Sequence, residues 1–175
     1  MVSVSNATPD DWLTREDSVC REGRLARLTW LADNAPAAKY WTFPGGLTSK
    51  YLFEEARYCF VYGQYLAAIV LGLSYVEHTL AGLFFAAGRS DLERANISEI
   101  LKEALDYGWI SQTESDHLQH ARRIRNPITH FRRPGHCESV EYRTVTQNEL
   151  PYAIIEENAR YVVEVALHLL GGRAV

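Results

Sequence analysis

The feature that most constrains the fold is a run from Tyr65 to Phe85 that is apolar on nearly every side of a helix. Such a helix either spans a membrane or is buried by several neighbouring helices. Glu77 and His78 interrupt the run near its middle, no basic flank sets an orientation, and no other segment suits a lipid environment. We therefore predict the central helix of a helical bundle, with a membrane span as the rival interpretation.

The overall composition is that of one ordinary domain. The chain has 175 residues and a formal net charge of -4, so it has no general affinity for polyanions, and any nucleic acid must bind to a local basic patch. Cys20, Cys59 and Cys137 are odd in number and share no metal-binding or redox spacing, which predicts free thiols in a reducing compartment. The first residues lack the basic and apolar regions of a signal peptide, and we expect a cytoplasmic protein.

Apolar periodicity and capping signals predict an all-α fold, an antiparallel bundle of four to five core helices with an N-terminal helical extension. The predicted helices cover residues 14–34, 49–62, 64–87, 96–107, 111–125 and 150–170. Residues 1–47 form the N-terminal helix and an aromatic loop, and residues 48–172 form the bundle. The loop is predicted to be anchored by its rings, Tyr40, Trp41 and Phe43.

Residue types that begin or end helices set the predicted boundaries. The predicted starts carry the capping boxes Thr14–Asp17 and Ser111–Glu114 and the N-cap Thr48, and the last helix is expected to end at Gly171 and Gly172. Between the last two helices, alternation of Val140, Tyr142 and Thr144 predicts a short extended segment.

The densest positive charge of the chain surrounds the segment from Arg125 to His130. Its other basic residues are Arg122, Arg123, Arg132, Arg133 and His136. Arginine can hold phosphate, and histidine can transfer protons near neutral pH. Because proline disfavours a helix, we expect the helix to end near Asn126, which then caps a new turn begun by Pro127. That break would let His130 face the same cleft as Arg125.

Glu77 is costly to bury in so apolar a helix unless a charged or hydrogen-bonding group meets it. Arg125 is the expected partner. The alternative interpretation makes Arg125 a purely structural ion-pair residue, His130 a polar residue near a helix end, and the arginines a solvated surface. His117 and His120 lie three residues apart without a third ligand at a suitable spacing, so we predict no metal site and no cofactor.

Several of these motifs together resemble the HEPN superfamily (higher eukaryote and prokaryote nucleotide-binding domains). The resemblance covers roughly residues 50 to 170. It is carried by the Arg-Asn-x3-His motif from Arg125 to His130, the entry Gly63–Ala68 into a long helix with central Glu77, and the turn Gly108–Ile110. It implies a prokaryotic all-helical bundle whose catalytic members are metal-independent endoribonucleases, usually homodimers with the site at the interface.

Carried over to this chain, the resemblance implies catalytic roles for Arg125, His130, Asn126 and Glu77. The arginines 122, 123, 132 and 133 would bind RNA. His130 would transfer a proton and Arg125 would stabilise the phosphorane as the RNA 2'-hydroxyl attacks phosphate. Glu77 would orient Arg125, and Asn126 would cap the break or contact phosphate. Some members carry a tyrosine two residues after the histidine, where this chain has Arg132.

Two functions remain open from the sequence. The first is an endoribonuclease that acts as a toxin or phage-defence effector, with an antitoxin or defence-system partner. Because many HEPN domains have lost activity, the second is a non-catalytic nucleotide-binding or protein-interaction module.

Overall fold

The structure, a computed structural model, describes residues 8–37, 41–133 and 135–170. Over these ranges the chain forms seven α-helices and no strand, which confirms the predicted all-α class. The helices are α1 (Pro9–Asn34), α2 (Gly46–Val61), α3 (Tyr65–Ala86), α4 (Ile97–Asp106), α5 (Gln112–Thr129), α6 (Val140–Gln147) and α7 (Pro151–Leu170). A 3-10 turn, Ser90–Leu92, precedes α4.

Helix α3 is the centre of a bundle, as its apolar sequence predicts. It packs most extensively against α2 and α7, and also against α4 and α5. Its fully buried side chains include Ile69, Leu73, Tyr75, Leu80 and Phe84. Within the described ranges, α3 is the one helix long and apolar enough to cross a membrane. Its packing is that of a core helix, because helices cover it on several sides.

The first two helices begin earlier than predicted. α1 starts at Pro9, and its capping box is Thr8–Asp11 rather than Thr14–Asp17: the Asp11 amide donates to Thr8 Oγ1 at 3.2 Å and the Thr8 amide donates to Asp11 Oδ2 at 3.0 Å. Proline suits the first position of a helix, where no amide hydrogen is needed. α2 begins at Gly46 without a side-chain cap, so the predicted capping by Thr48 is wrong.

Aromatic rings anchor the end of the loop between α1 and α2. The ring centroids of Trp41 and Phe43 lie 5.8 and 6.1 Å from that of the buried Phe53. The anchoring predicted for Trp41 and Phe43 is confirmed, whereas Tyr40 lies outside the described residues.

Two glycines allow this loop to touch the backbone of α3. A Cβ atom added to Gly82 would lie 2.6 Å from the carbonyl oxygen of Pro44, and one added to Gly45 would lie 2.5 Å from that of His78. Both distances are shorter than any ordinary contact. One helical turn further along α2, the hydroxyls of Ser49 and Thr79 share a buried hydrogen bond of 2.8 Å.

Helix α5 starts at the predicted capping box of Ser111 and Glu114, but it does not break at Asn126. It runs through Pro127 to Thr129, and the predicted new turn is absent. The burial of Ile124 and the packing of Ile128 against the core explain the continuation, because these residues are four apart on one face. Near a helix end, proline removes one hydrogen bond, a cost that this burial offsets.

Residues 140–147, predicted to be extended, form helix α6. Ser139 caps it by accepting a hydrogen bond from the Tyr142 amide at 3.2 Å. The hydroxyls of Thr144 and Thr146 each donate to a carbonyl four residues earlier, at 2.9 Å. The alternating pattern was a poor guide because contacts with α7 hold the segment as a helix, among them the hydrogen bond of 2.8 Å that Arg143 Nη1 donates to Asn158 Oδ1. α7 reaches Leu170 as predicted, and Gly171 and Gly172 lie outside the described residues.

Among the described residues, the hydrogen bonds and ring contacts that attach α1 to the bundle come from its second half. Arg27 joins it to the turn between α2 and α3, donating to the Val61 carbonyl at 2.9 Å and to the Tyr65 hydroxyl at 3.0 Å. Trp30 packs on Phe60 with ring centroids 5.3 Å apart.

Candidate functional site

An open groove on the surface of the bundle is lined by most of the predicted site residues. It is bordered by the middle of α3, the start of α4 and the end of α5. Its lining residues are Glu77, Asn96, Ile97, Ser98, Arg122, Arg125, Asn126 and His130. All four residues predicted to be catalytic therefore face one groove, although they come from distant parts of the chain.

The spacing along α5 brings the arginines and the histidine together without a break in the helix. Arg122, Asn126 and His130 are successively four residues apart, so they follow one stripe of a helix, and Arg125 borders that stripe. His130 is the C-cap: its backbone is extended, with φ -131° and ψ 125°, while its amide still donates to the Asn126 carbonyl at 2.9 Å. The predicted shared cleft is present, but the reason given for it, a break at Pro127, is wrong.

The predicted ion pair between Glu77 and Arg125 is not formed. Among the described residues, neither side chain has an oppositely charged partner within 4.0 Å. Glu77 is only half-buried, because α3 is uncovered where it borders the groove. Its charge therefore remains in contact with water, and burial does not demand a compensating cation.

The two groove arginines keep guanidinium groups available for an anion. Arg122 Nε donates to Gln119 Oε1 at 2.9 Å, and Arg125 Nη1 makes a long contact of 3.4 Å with Thr129 Oγ1. Both of these partners are neutral, and within the described ranges no carboxylate pairs with either arginine. Unpaired arginines at the wall of a groove are suited to bind phosphate.

The start of α4 is a wall of the groove that the sequence interpretation missed. Asn96 caps this helix by accepting a hydrogen bond from the Glu99 amide at 3.1 Å, and Ile97 and Ser98 are its first two residues. The first amides of a helix have no acceptor within it and carry partial positive charge. Asn96 is recognisable in the sequence as an N-cap, but only the packing of α4 beside α5 places it opposite the arginines.

The remaining predicted RNA-binding arginines lie elsewhere. Arg132 Nε donates to Glu138 at 3.1 Å beside an apolar cavity between α5, α6 and α7. Arg123 lines a separate polar pocket with His120 and Arg143. Arg133 is exposed. Of the four predicted RNA-binding residues, only Arg122 borders the groove.

His117 and His120 both contact one tyrosine of α7. His117 Nδ1 lies 2.7 Å from the Tyr161 hydroxyl, and the ring of His120 meets that of Tyr161 edge-on, with centroids 4.8 Å apart. Over the described ranges, no group of three or more histidine, cysteine or acidic side chains is arranged to hold a metal ion. These histidines thus have structural contacts at the α5–α7 interface.

Comparisons with models of protein families, with curated proteins and with solved structures find no match for this chain, so the chemistry of the groove is argued from its own residues.

Proposed function

We propose that the protein is a metal-independent endoribonuclease that cleaves RNA in the groove between α3, α4 and α5. The observation that carries the proposal is the meeting of Glu77, Arg122, Arg125 and His130 in one groove. Cleavage by the 2'-hydroxyl needs groups that transfer protons. It also needs cations that stabilise the phosphorane, and the groove contains residues of both kinds.

In the proposed reaction the RNA 2'-hydroxyl oxygen attacks the adjacent phosphorus, and the bond to the 5'-oxygen breaks. The Glu77 carboxylate accepts the proton of the 2'-hydroxyl, and the protonated imidazole of His130 donates a proton to the departing 5'-oxygen. Arg125 and Arg122 bind the non-bridging oxygens, whose negative charge grows in the transition state. The products are a 2',3'-cyclic phosphate and a 5'-hydroxyl. Since Glu77 makes no ion pair with Arg125, this role replaces the predicted role of orienting the arginine.

The test is incubation of the purified protein with a short single-stranded RNA in EDTA. We expect fragments that end in a 2',3'-cyclic phosphate, and no cleavage of the same strand with deoxyribose at the scissile position. His130→Ala should slow cleavage by about 10²- to 10⁴-fold, the usual contribution of general acid–base catalysis. Glu77→Gln should lower the rate in the same range.

A matched control separates the groove from the rest of the basic segment. His136→Ala and Arg133→Ala remove basic side chains close to the site in sequence but outside the groove lining. Both variants should cleave like the wild type. Equal cleavage by the wild type and His130→Ala, with both proteins folded by circular dichroism, would refute the proposal.

The second candidate function is a non-catalytic module that binds a nucleotide or a partner protein. The unpaired Arg122 and Arg125 support anion binding whether or not a reaction follows. This function predicts that RNA or a nucleotide binds without cleavage, that Arg125→Ala weakens binding, and that His130→Ala leaves it almost unchanged.

The biological setting belongs to the same proposal. It comprises a cytoplasmic homodimer with the groove at its interface, RNA as substrate, an antitoxin or defence-system partner, and a role as a toxin or phage-defence effector. It rests on the resemblance of the Arg125 to His130 motif to the HEPN superfamily. Co-purification of a partner that abolishes RNA cleavage would support it.

A further inference from the structure

The apolar cavity and the polar pocket between α5, α6 and α7 adjoin each other, and together they form one cleft. The cavity has a volume of about 720 Å³ and the pocket one of about 300 Å³. Both are lined by Ile124, Glu138, Arg143 and Asn158. The cleft stays open because α6 packs mainly against α7, and every residue of α6 is at least partly exposed. Protein interiors contain few voids larger than a water molecule, whereas ligand sites measure ~300–1,000 Å³.

The cavity is the apolar compartment of the cleft, and its apolar lining is largely aliphatic. It includes Leu66, Ile69, Ile124, Ile128, Val140 and Ile155. Among the described lining residues, Phe131 is the one aromatic ring. Phe131 and Val145 are 88% and 81% exposed, so apolar surface continues from the cavity to solvent. Glu141, also in this lining, is exposed on α6. Aliphatic walls suit an aliphatic chain, since a nucleobase would favour aromatic rings on which to stack.

The pocket is the polar compartment, and its balance of charge is positive. Arg123 has no ion-pair partner within 4.0 Å among the described residues. Arg143 lies 3.7 Å from Glu157, whose side chain is 70% exposed and therefore well solvated. Glu138, the other carboxylate of the pocket, is paired with Arg132 at 3.1 Å. Two guanidinium groups with so little compensation favour the binding of an anion.

His120 lines the same pocket, and its titration reflects the positive charge there. Burial lowers the pKa of its imidazole, and the charges of Arg123, Arg143 and His117 lower it further. Its other neighbours are the ring of Tyr161, which it meets edge-on, and the two carboxylates of the pocket. An anion bound between the two arginines would offset part of their repulsion and raise the pKa of His120.

We propose that the cleft binds an aliphatic carboxylate, with its chain in the apolar cavity and its carboxylate between Arg123 and Arg143. The adjoining compartments match the two ends of such an amphipathic anion. The site is distinct from the groove, because Ile128 lines the cleft whereas Asn126 and His130 line the groove. The proposal therefore does not rest on RNA cleavage.

Isothermal titration calorimetry of the full chain with decanoate, below the concentration at which decanoate forms micelles, tests the proposal. We expect saturable one-to-one binding with a negative heat-capacity change, the mark of buried apolar surface. Decanol and decyltrimethylammonium have the same chain without the negative charge. Both should bind roughly tenfold more weakly or worse, because they lose the charge-assisted hydrogen bonds to arginine.

Variants assign the two ends of the ligand. Arg123→Gln should weaken decanoate binding roughly tenfold without changing decanol binding, and Arg133→Gln, at an exposed position outside the cleft lining, should change neither. Ile155→Trp should abolish binding of both probes by filling the cavity. Thr144→Phe fills it from α6, a helix at the surface, and serves if Ile155→Trp does not fold.

A spectroscopic measurement locates the carboxylate independently. Decanoate should raise the pKa of His120, followed by nuclear magnetic resonance, and decanol should not. His130→Ala should bind decanoate like the wild type, so a failure of this proposal and a failure of RNA cleavage are distinguishable. The absence of saturable binding, equal affinities for decanoate and decyltrimethylammonium, unchanged binding by Arg123→Gln, or displacement of decanoate by a short RNA would each overturn the proposal.

Discussion

Replacing Gly82 with alanine tests the close approach of the loop to α3. Helix propensity alone predicts that Gly82→Ala stabilises the protein by about 1 kcal/mol. In the structure, the new Cβ would lie 2.6 Å from the Pro44 carbonyl oxygen and 2.8 Å from both Cα and N of Gly45. Ordinary contacts between such atoms are ~3.5 Å or more, so the loop and the helix would have to separate by nearly 1 Å.

The energetic cost follows from the atoms involved. They are backbone atoms held by the rings of Trp41 and Phe43, so no side chain can rotate away. Overpacking costs about 1–3 kcal/mol, and the upper end applies here. After subtracting the propensity gain, Gly82→Ala should destabilise the fold by about 2 kcal/mol. At ~2–4 °C per kcal/mol for a chain of this size, the melting temperature should fall by about 4–8 °C.

Thermal and urea unfolding followed by circular dichroism would measure this effect. Gly72→Ala, on the same helix, is the matched control: its added Cβ would meet the Val162 side chain at 3.1 Å, and a methyl group can move. That variant should change stability by less than ~1 kcal/mol. A Gly82→Ala protein that melts above the wild type would refute the close backbone contact.

Two further changes probe polar groups away from the groove. Ser49→Ala should cost about 1–3 kcal/mol in urea unfolding, since it leaves the buried Thr79 hydroxyl without its 2.8 Å partner, and Thr79→Val in the same chain should recover part of the loss. Burial, together with Arg123 and Arg143, lowers the pKa of His120 below its usual 6.5. The folded state therefore disfavours protonation of His120. The contribution of neutral His120 to the free energy of unfolding is fully present above pH 6.5, and it declines as the pH falls towards the folded pKa. His120→Gln should melt with a smaller decline between about pH 7.5 and pH 5, and an identical decline in both proteins would contradict this contribution.

Most of the helical architecture could be predicted because its signals are local. The apolar run of α3, the capping box of α5 and the periodicity of α7 act within a few residues of one another. The errors arose where distant contacts compete with local preference. Pro127 stays within α5 because Ile124 and Ile128 pack into the core, and α6 packs against α7, where Arg143 donates a hydrogen bond to Asn158 Oδ1 at 2.8 Å.

The candidate site also has one part that local spacing predicts and one part that depends on packing. The four-residue spacing of Arg122, Asn126 and His130 determines that they share one face of α5, and it is readable from the sequence. That α4 begins opposite this face, that Glu77 remains solvated without an arginine, and that Arg132 pairs with Glu138 are decided by the tertiary structure.

Local sequence patterns are enough to specify an all-helical chain with one central apolar helix and one segment of dense positive charge. Packing between helices sets which of the basic residues border the groove and where the loop touches α3. The two kinds of feature differ in the sequence separation of the residues that form them. Helix formation depends on hydrogen bonds and caps within one or two turns, whereas grooves and contacts depend on side chains that are distant in sequence and meet only after packing.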